Sequence, residues 1–341
     1  MHFGFDDDQL AFRDAVRDLL DKQCPPEVVR AAWEGDGDLD RGVWRSLDEM
    51  GVLTLLAPEA AGGLGLDERS LVLLLEETGR AALPHPVVDT AAVAAPLRAL
   101  AEPVPTPAGR DGQGEAVDAA TAPGVPLVTS NLGGPNVPCA ADADRFLLRH
   151  GDELHLVEPD GVALEPLATV DGARRAARLQ WAPSRSTLLT DDPAAVELAF
   201  DRGALGAAAQ LLGLGQRMLD LTVAYVRERE QFGQPIGAFQ AVKHHLADAL
   251  KELAFARPAV HRAAHSIATG AAERARDVSM AKAMASDAAR FVGRQALQCH
   301  GAIGYTVEAD LHLYLKRAWA LAAAWGDAAW HRDRVGRALG I

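Results

Sequence analysis

The chain has 341 residues, 49% of them hydrophobic and 24% charged, and carries a net charge of −13. That is enough for two or three small domains around a sizeable core, while the acidic balance speaks against non-specific nucleic-acid binding, which rests on neutralising phosphates. No apolar run reaches membrane-spanning length, residues 1–8 are acidic rather than a basic signal region, and Cys24, Cys139 and Cys299 lie far apart, so a cytoplasmic protein with neither disulfide framework nor metal site is expected.

The charge is unevenly spread. Residues 1–200 hold 16 Lys and Arg against 34 Asp and Glu, or −18, whereas residues 201–341 hold 18 against 13, or +5. A locally basic C-terminal part could hold a phosphate-bearing ligand, and two domains with differently solvated faces would give the same pattern.

In chain order, residues 1–102 read as a helical domain. Leu10, Phe12, Val16 and Leu19 recur at helical spacing, as do Val43, Leu47 and Met50. A Gly-rich turn in 56–66, with Pro58-Glu59 and Gly62-Gly63-Leu64-Gly65-Leu66, precedes a helix-like run over 71–82. Over 103–190 Pro, Gly and Asp become dense and helical periodicity fades. Short segments at 145–149 and 153–157 read as strands of a small β-rich domain, with a disordered stretch expected around 108–114.

From 191 to 341 the pattern is helical again. Leu205, Ala208, Leu212, Leu219, Val223 and Val226 share one face of a long helix, and Phe239, Val242, Leu246, Leu250 and Leu253 share one face of the next, which Pro258 is expected to kink or end. A third helix over 275–298, a fourth over 308–323 and a tail helix after Asp327 would complete an antiparallel four-helix bundle.

Two segments of this bundle carry a resemblance. They are Arg227-Glu-Arg-Glu-Gln-Phe-Gly-Gln-Pro-Ile-Gly-Ala-Phe-Gln-Ala-Val-Lys243 and Gln298-Cys-His-Gly-Ala-Ile-Gly-Tyr-Thr306, followed by Leu311-His-Leu-Tyr-Leu-Lys-Arg317. In sequence and spacing they resemble the flavin-binding signatures of the acyl-CoA dehydrogenase family, and the Pro-Glu…Gly-Gly-x-Gly-Leu turn resembles its N-terminal domain. The resemblance implies a mainly α fold: an N-terminal helical domain, a small reduced β domain and a C-terminal four-helix bundle.

It also implies FAD as cofactor, with Arg229, Phe232 and Gln240 contacting it from the neighbouring subunit. A guanidinium suits a pyrophosphate, an aromatic ring packs on the cofactor, and an amide reads a polar edge. Gln298, Gly301 and Ala302 would approach its adenosine diphosphate part; Ala302 stands where the family usually has a second glycine. The implied reaction is α,β-dehydrogenation of an acyl-CoA, with a carboxylate removing the α-proton. Small residues along the first long C-terminal helix (Gly203, Gly206, Ala207, Gly213, Gly215) could make room for a bulky acyl chain or allow close helix packing, and packing is the favoured reading.

The family's usual catalytic Glu position falls here on Trp325, which cannot accept a proton, and Asp327 two residues on would need a shifted turn to reach. Some members carry the base at the start of the first long C-terminal helix, before an Arg; that position is Asp201, followed by Arg202 near the substrate end. A carboxylate favouring a helix N-terminus and an arginine in a structural salt bridge would look the same. The family's Thr-Glu-Pro-x-x-Gly-Ser run and Trp-rich strand are missing from the β domain, where Thr129-Ser-Asn-Leu-Gly-Gly134 is the nearest polar loop.

One half-site without the other fits a heterotetramer with one shortened subunit, as among acyl-CoA dehydrogenases of steroid side-chain catabolism. The implied partners are a second acyl-CoA dehydrogenase subunit, an acyl-CoA and, as acceptor, an electron-transfer flavoprotein. A homo-oligomeric enzyme with a divergent β domain and a catalytically silent structural subunit stay open, as does a carrier-protein thioester in place of CoA. His244-His245, Lys243 and Glu76-Glu77 read as helix-surface or core groups, not ligands.

Overall fold

The computed structural model describes residues 4–35, 39–97 and 124–341. The stretch 108–114 and the expected boundary at 102/103 lie outside the described residues.

The N-terminal helices are α1 (Asp7–Gln23), α2 (Pro26–Glu34), α3 (Gly42–Glu49) and α4 (Glu68–Arg80). A capping box starts α1: Asp6 accepts from the Gln9 amide, and the Gln9 side chain accepts from the Asp6 amide. Asp67 caps α4 through the Arg69 amide. Val16, Leu20, Leu47, Leu71 and Leu74 interlock in one core. The charge of the nearly buried Glu77 is met by Arg17 in a two-pronged pair at 2.6 and 2.9 Å.

A buried π-helical turn, Val88–Ala94, leads toward the β region. Its main sheet has the order β1 (Val128–Ser130), β2 (Arg145–His150), β3 (Glu153–Val157), β6 (Leu188–Thr190). β1 runs parallel to β2, while β2–β3 and β3–β6 are antiparallel, with a register shift at Leu154/His155. β4 (Ala163–Pro166) and β5 (Ala177–Gln180) form a separate pair. Phe146 and Leu148 of β2 fill a small second core with Val137 and Val157.

Five helices follow: α5 (Pro193–Glu228), α6 (Gln240–Ala268), α7 (Arg274–His300), α8 (Leu311–Ala323) and α9 (Ala328–Leu339). The 36-residue α5 is about 54 Å long at 1.5 Å per residue. A buried ion pair between Arg317 of α8 and Asp171 ties the bundle to the β region, and Arg317 also donates to the carbonyls of Ala82 and Leu83.

Of the two outcomes expected at Pro258, a kink or an end, the helix does not end: α6 runs through the proline to Ala268. The proline lies on the exposed side with Ala254, so the carbonyl that loses its N–H partner can face water. Leu250 does not share the buried face of α6 but is 51% exposed, whereas Leu253 is buried.

The glycines of α5 do serve close packing. A Cβ at Gly213 would lie 1.9 Å from the Glu76 carbonyl of α4, and one at Gly79 of α4 would lie 2.2 Å from the Gln210 carbonyl of α5. The two backbones thus touch through reciprocal glycine notches. Gly213→Ala is expected to cost roughly 1–3 kcal/mol through forced separation of α4 and α5, seen as a lower thermal midpoint. An unchanged midpoint would mean that the helices part without loss of packing.

Candidate functional site

At the C-terminal end of α5, residues Glu230–Gln231 (β7) and Gln234–Pro235 (β8) form a small antiparallel hairpin. Its two-residue turn is Phe232-Gly233, with φ of +55° and +79°. Two left-handed residues match the twist of a hairpin, but Gly or Asn usually occupies the first place. A phenylalanine there costs on the order of 1 kcal/mol, and its ring is 93% exposed, steadied only edge-on by Phe239 at 6.1 Å. Arg229, where α5 ends, and Gln240, where α6 begins, are also exposed.

The second segment lies beside the first. α7 ends at His300, and Gly301 follows at φ +64° and ψ −138°, a conformation open to glycine alone. The Tyr225 ring of α5 stacks on His300 at 4.5 Å, and its hydroxyl donates to the His300 carbonyl at 3.4 Å. Burial lowers the pKa of His300, and its Nδ1–H donates to the Ala296 carbonyl. A hydrogen bond between His245 Nδ1 and Gln295 Oε1 joins α6 to α7. Tyr225 is one helical turn before Arg229, and His300 directly precedes Gly301, so both segments share one end of the bundle. Gln298, Gly301 and Ala302 are exposed there, with Tyr305 at 77%.

This end suits the ADP side of FAD: a cation, an aromatic ring and a glycine-permitted backbone approach are all presented to solvent. The ring side finds no such fit in the polar loop that begins at Thr129. Thr129 Oγ1 donates to the Pro138 carbonyl at 2.6 Å, and Ser130 Oγ donates to the Asp89 carboxylate at 2.5 Å. Both hydroxyls are buried and occupied, and burial raises Asp89 to about 6.

The candidate acyl end is elsewhere. Asp201 and Arg229 stand about 40 Å apart along α5 at 1.5 Å per residue. Asp201 does not sit at the helix start: α5 begins at Pro193, and Asp192 caps it by accepting from the Ala194 amide. Asp201 is fully buried, with Oδ2 bound by Arg274 Nε at 2.8 Å and Oδ1 by Arg334 at 2.6 Å. Both arginines also reach Glu197. Arg202 pairs with the buried Glu68 of α4 at 2.7 Å. Both oxygens of the carboxylate are engaged by cations, which is the geometry of a structural clamp.

Near this clamp the loop between α8 and α9, which carries Trp325, meets His331 of α9 and Lys282 of α7, two residues that spacing along the chain does not single out. Trp325 is 4% exposed and adopts φ +57°, a strained state for a bulky residue. Its amide donates to the Gly133 carbonyl at 2.8 Å. His331, lowered to about 4 by burial and therefore neutral, donates from Nε2 to the Trp325 carbonyl at 2.8 Å and accepts at Nδ1 from Ser279. Lys282, fully buried on α7, donates to the carbonyls of Ala322 and Gly326 at 3.4 and 3.0 Å and to Ser286 Oγ. It thereby caps α8 and fixes the turn. The one signal in the sequence was a lone lysine within an alanine-rich helix face.

A cleft of about 480 Å³ opens among α1, α4, α5 and α6, but its lining charges are already engaged: Arg17 with Glu77, Arg257 with Glu76, Arg13 with Asp14, Arg80 with Asp21, and Asp220 with the Gln216 side-chain amide.

Residues 194–340 match the C-terminal domain of acyl-CoA dehydrogenase and residues 6–103 its N-terminal domain. The chain is 36% identical over 307 residues to the acyl-CoA dehydrogenase IpdE2 of Mycolicibacterium smegmatis, covering 90% of each chain. In fold it resembles the ChsE4–ChsE5 complex of Mycobacterium tuberculosis, at 26% identity and TM-score 0.83, over 100% of this chain and 99% of that one. A variant of the Tcur3481–Tcur3483 steroid ACAD gives 26% identity and TM-score 0.78, over 98% of each chain.

Lys282 gives the site a pH signature. Burial, with Arg290 nearby, lowers its ammonium from 10.5 to about 7. Between these values the unfolded chain holds a proton that the folded chain has lost, so stability rises with pH across the window. In denaturant titrations from about pH 7 to 9, the natural protein should gain on Lys282→Met by at most about 1.4 kcal/mol per pH unit. A difference independent of pH would mean that the ammonium stays charged among its carbonyl partners.

Proposed function

This chain belongs to the acyl-CoA dehydrogenase family, and from that premise we propose that it works as one subunit of a heteromeric, FAD-dependent enzyme that introduces an α,β double bond into an acyl-CoA. Family members are FAD-dependent flavoproteins. The observation that carries the reading is the distance of about 40 Å along α5 between the exposed Arg229, Phe232 and Gln240 and the buried region of Asp201 and Trp325. A cofactor held at the first place has its reacting end on another chain, and because the Thr129 and Ser130 hydroxyls of this chain's own β region are buried and engaged, that other chain is read as a different subunit and not a second copy.

In this reading Arg229 pairs with the pyrophosphate, Phe232 packs against the cofactor, and Gln240 and Gln298 read its polar edges. Gly301 and Ala302 let the backbone approach the ADP part. FAD, when bound, supplies the hydride acceptor for the β-hydrogen. The base that takes the α-proton comes from the partner chain, because Asp201 is engaged by Arg274 and Arg334 and Arg202 by Glu68. These two residues hold α5 to α7, α9 and α4. The likeness to the steroid ACAD supports a bulky, steroid-derived acyl group. Reoxidation by an electron-transfer flavoprotein is carried over with the family.

Two experiments test this. Purified without a partner, the chain should lack a stoichiometric flavin band; one FAD per chain in a homotetramer would overturn the heteromeric reading. In the assembled enzyme, Arg229→Ala should weaken FAD binding roughly 10-fold to 100-fold, the worth of hydrogen bonds to a charged group.

Asp201→Ala separates clamp from base. Leaving two guanidinium groups short of their partner should cost about 3 kcal/mol of stability while the folded fraction keeps its turnover. A loss of roughly 100-fold or more in kcat at an unchanged thermal midpoint would restore Asp201 as general base.

A further inference from the structure

We infer that Trp325 is a resident plug: its indole fills a chamber between α5 and the loop after β1, and so closes the place that an acyl group would take within this chain. The geometry of the chamber stands by itself; its identity as the acyl place rests on the family reading above.

Both walls of the chamber are notched for the ring. A Cβ at Gly203 of α5 would lie 2.1 Å from Trp325 Cζ3, and one at Gly133 would lie 2.9 Å from Nε1. Any side chain at either position would expel the indole. Phe200, one helical turn before Gly203 on α5, closes the edge with its ring centroid 6.0 Å away.

The plug is carried on a turn, and the turn is fastened from three sides. Gly133 accepts from the Trp325 amide, His331 of α9 donates to the Trp325 carbonyl, and Lys282 of α7 donates to the next carbonyl, that of Gly326. Trp325 and Gly326 are both left-handed, at φ +57° and +81°. A tryptophan persists in that state only where its surroundings over-determine it. Glycine at position 325 would relax the backbone but leave the chamber open, so the filling of the chamber is what the strained tryptophan achieves.

The walls belong to elements that cannot close in. α5 is held by the Asp201 clamp; the end of β1 is held by the Thr129 and Ser130 hydrogen bonds, and the loop after it by Asn131, which donates to the Arg149 carbonyl and accepts from the Arg149 amide. Shortening the side chain therefore leaves a void, on the order of 150 Å³ at most, of the dry apolar kind that takes up small aromatic molecules.

The test is chemical rescue. Trp325→Ala is purified and its thermal midpoint is followed against added indole, with the natural protein as control. The expected result is a midpoint several degrees lower, raised saturably by millimolar indole, with no response in the natural protein. A midpoint that indole does not move would overturn the plug, since the walls would then have collapsed. If the alanine variant does not fold, Trp325→Gly, which relieves the left-handed backbone at φ +57° and leaves at least as large a void, asks the same question with indole, and the same absence of response overturns it. Failure here leaves the Arg229 result on FAD untouched, so the two readings fail separately.

Discussion

A single helix sets the geometry of the whole chain. α5 is long and rich in small residues, and its glycines let α4, Trp325 and Leu253 come within a side chain's breadth of its backbone. Because the helix is continuous and packed along its length, whatever is attached to one end stays about 54 Å from the other. The hairpin with Phe232 hangs from its C-terminal end, while the Asp201 clamp lies two turns in from its start. The separation of the exposed Arg229 and Gln240 from the buried Asp201 clamp is thus a consequence of helix rise, and it underlies the proposal that this chain contributes to a shared site.

The two ends differ in how their polar groups are treated. At the hairpin end Arg229, Gln240 and Gln298 face solvent, and an exposed aromatic is kept in a strained backbone state. Such groups are available to a ligand. At the other end nearly every polar group has an internal partner: Asp201 with two arginines, Arg202 with Glu68, Lys282 with carbonyls, His331 with Trp325 and Ser279. A buried charge without its partner is costly, so this end is built to stay closed.

Much of the fold was legible before any coordinates. The helical runs at 71–82, 275–298 and after 327 and the strands at 145–149 and 153–157 carry their periods in the sequence, because burial on one face imposes spacing. Whether Pro258 would kink or end its helix was not legible, because a proline stops a helix only where the lost hydrogen bond cannot be made good, and exposure at that point is not written in the local sequence. Leu250 misled for a related reason: an apolar residue in phase with a stripe can still fall outside the packed surface.

By itself the sequence determined the family, the FAD-type motifs and the absence of a carboxylate at position 325, since these depend on residue identity and spacing along the chain. It could not decide what Asp201 does. A carboxylate before an arginine on a helix is the same string of letters whether its oxygens meet a substrate or two guanidinium groups from α7 and α9. Only the tertiary structure brought Arg274 and Arg334 onto Asp201, and Gly133 and Gly203 onto Trp325. Those contacts join residues 73 or more positions apart, and their strength comes from burial, which no local pattern records.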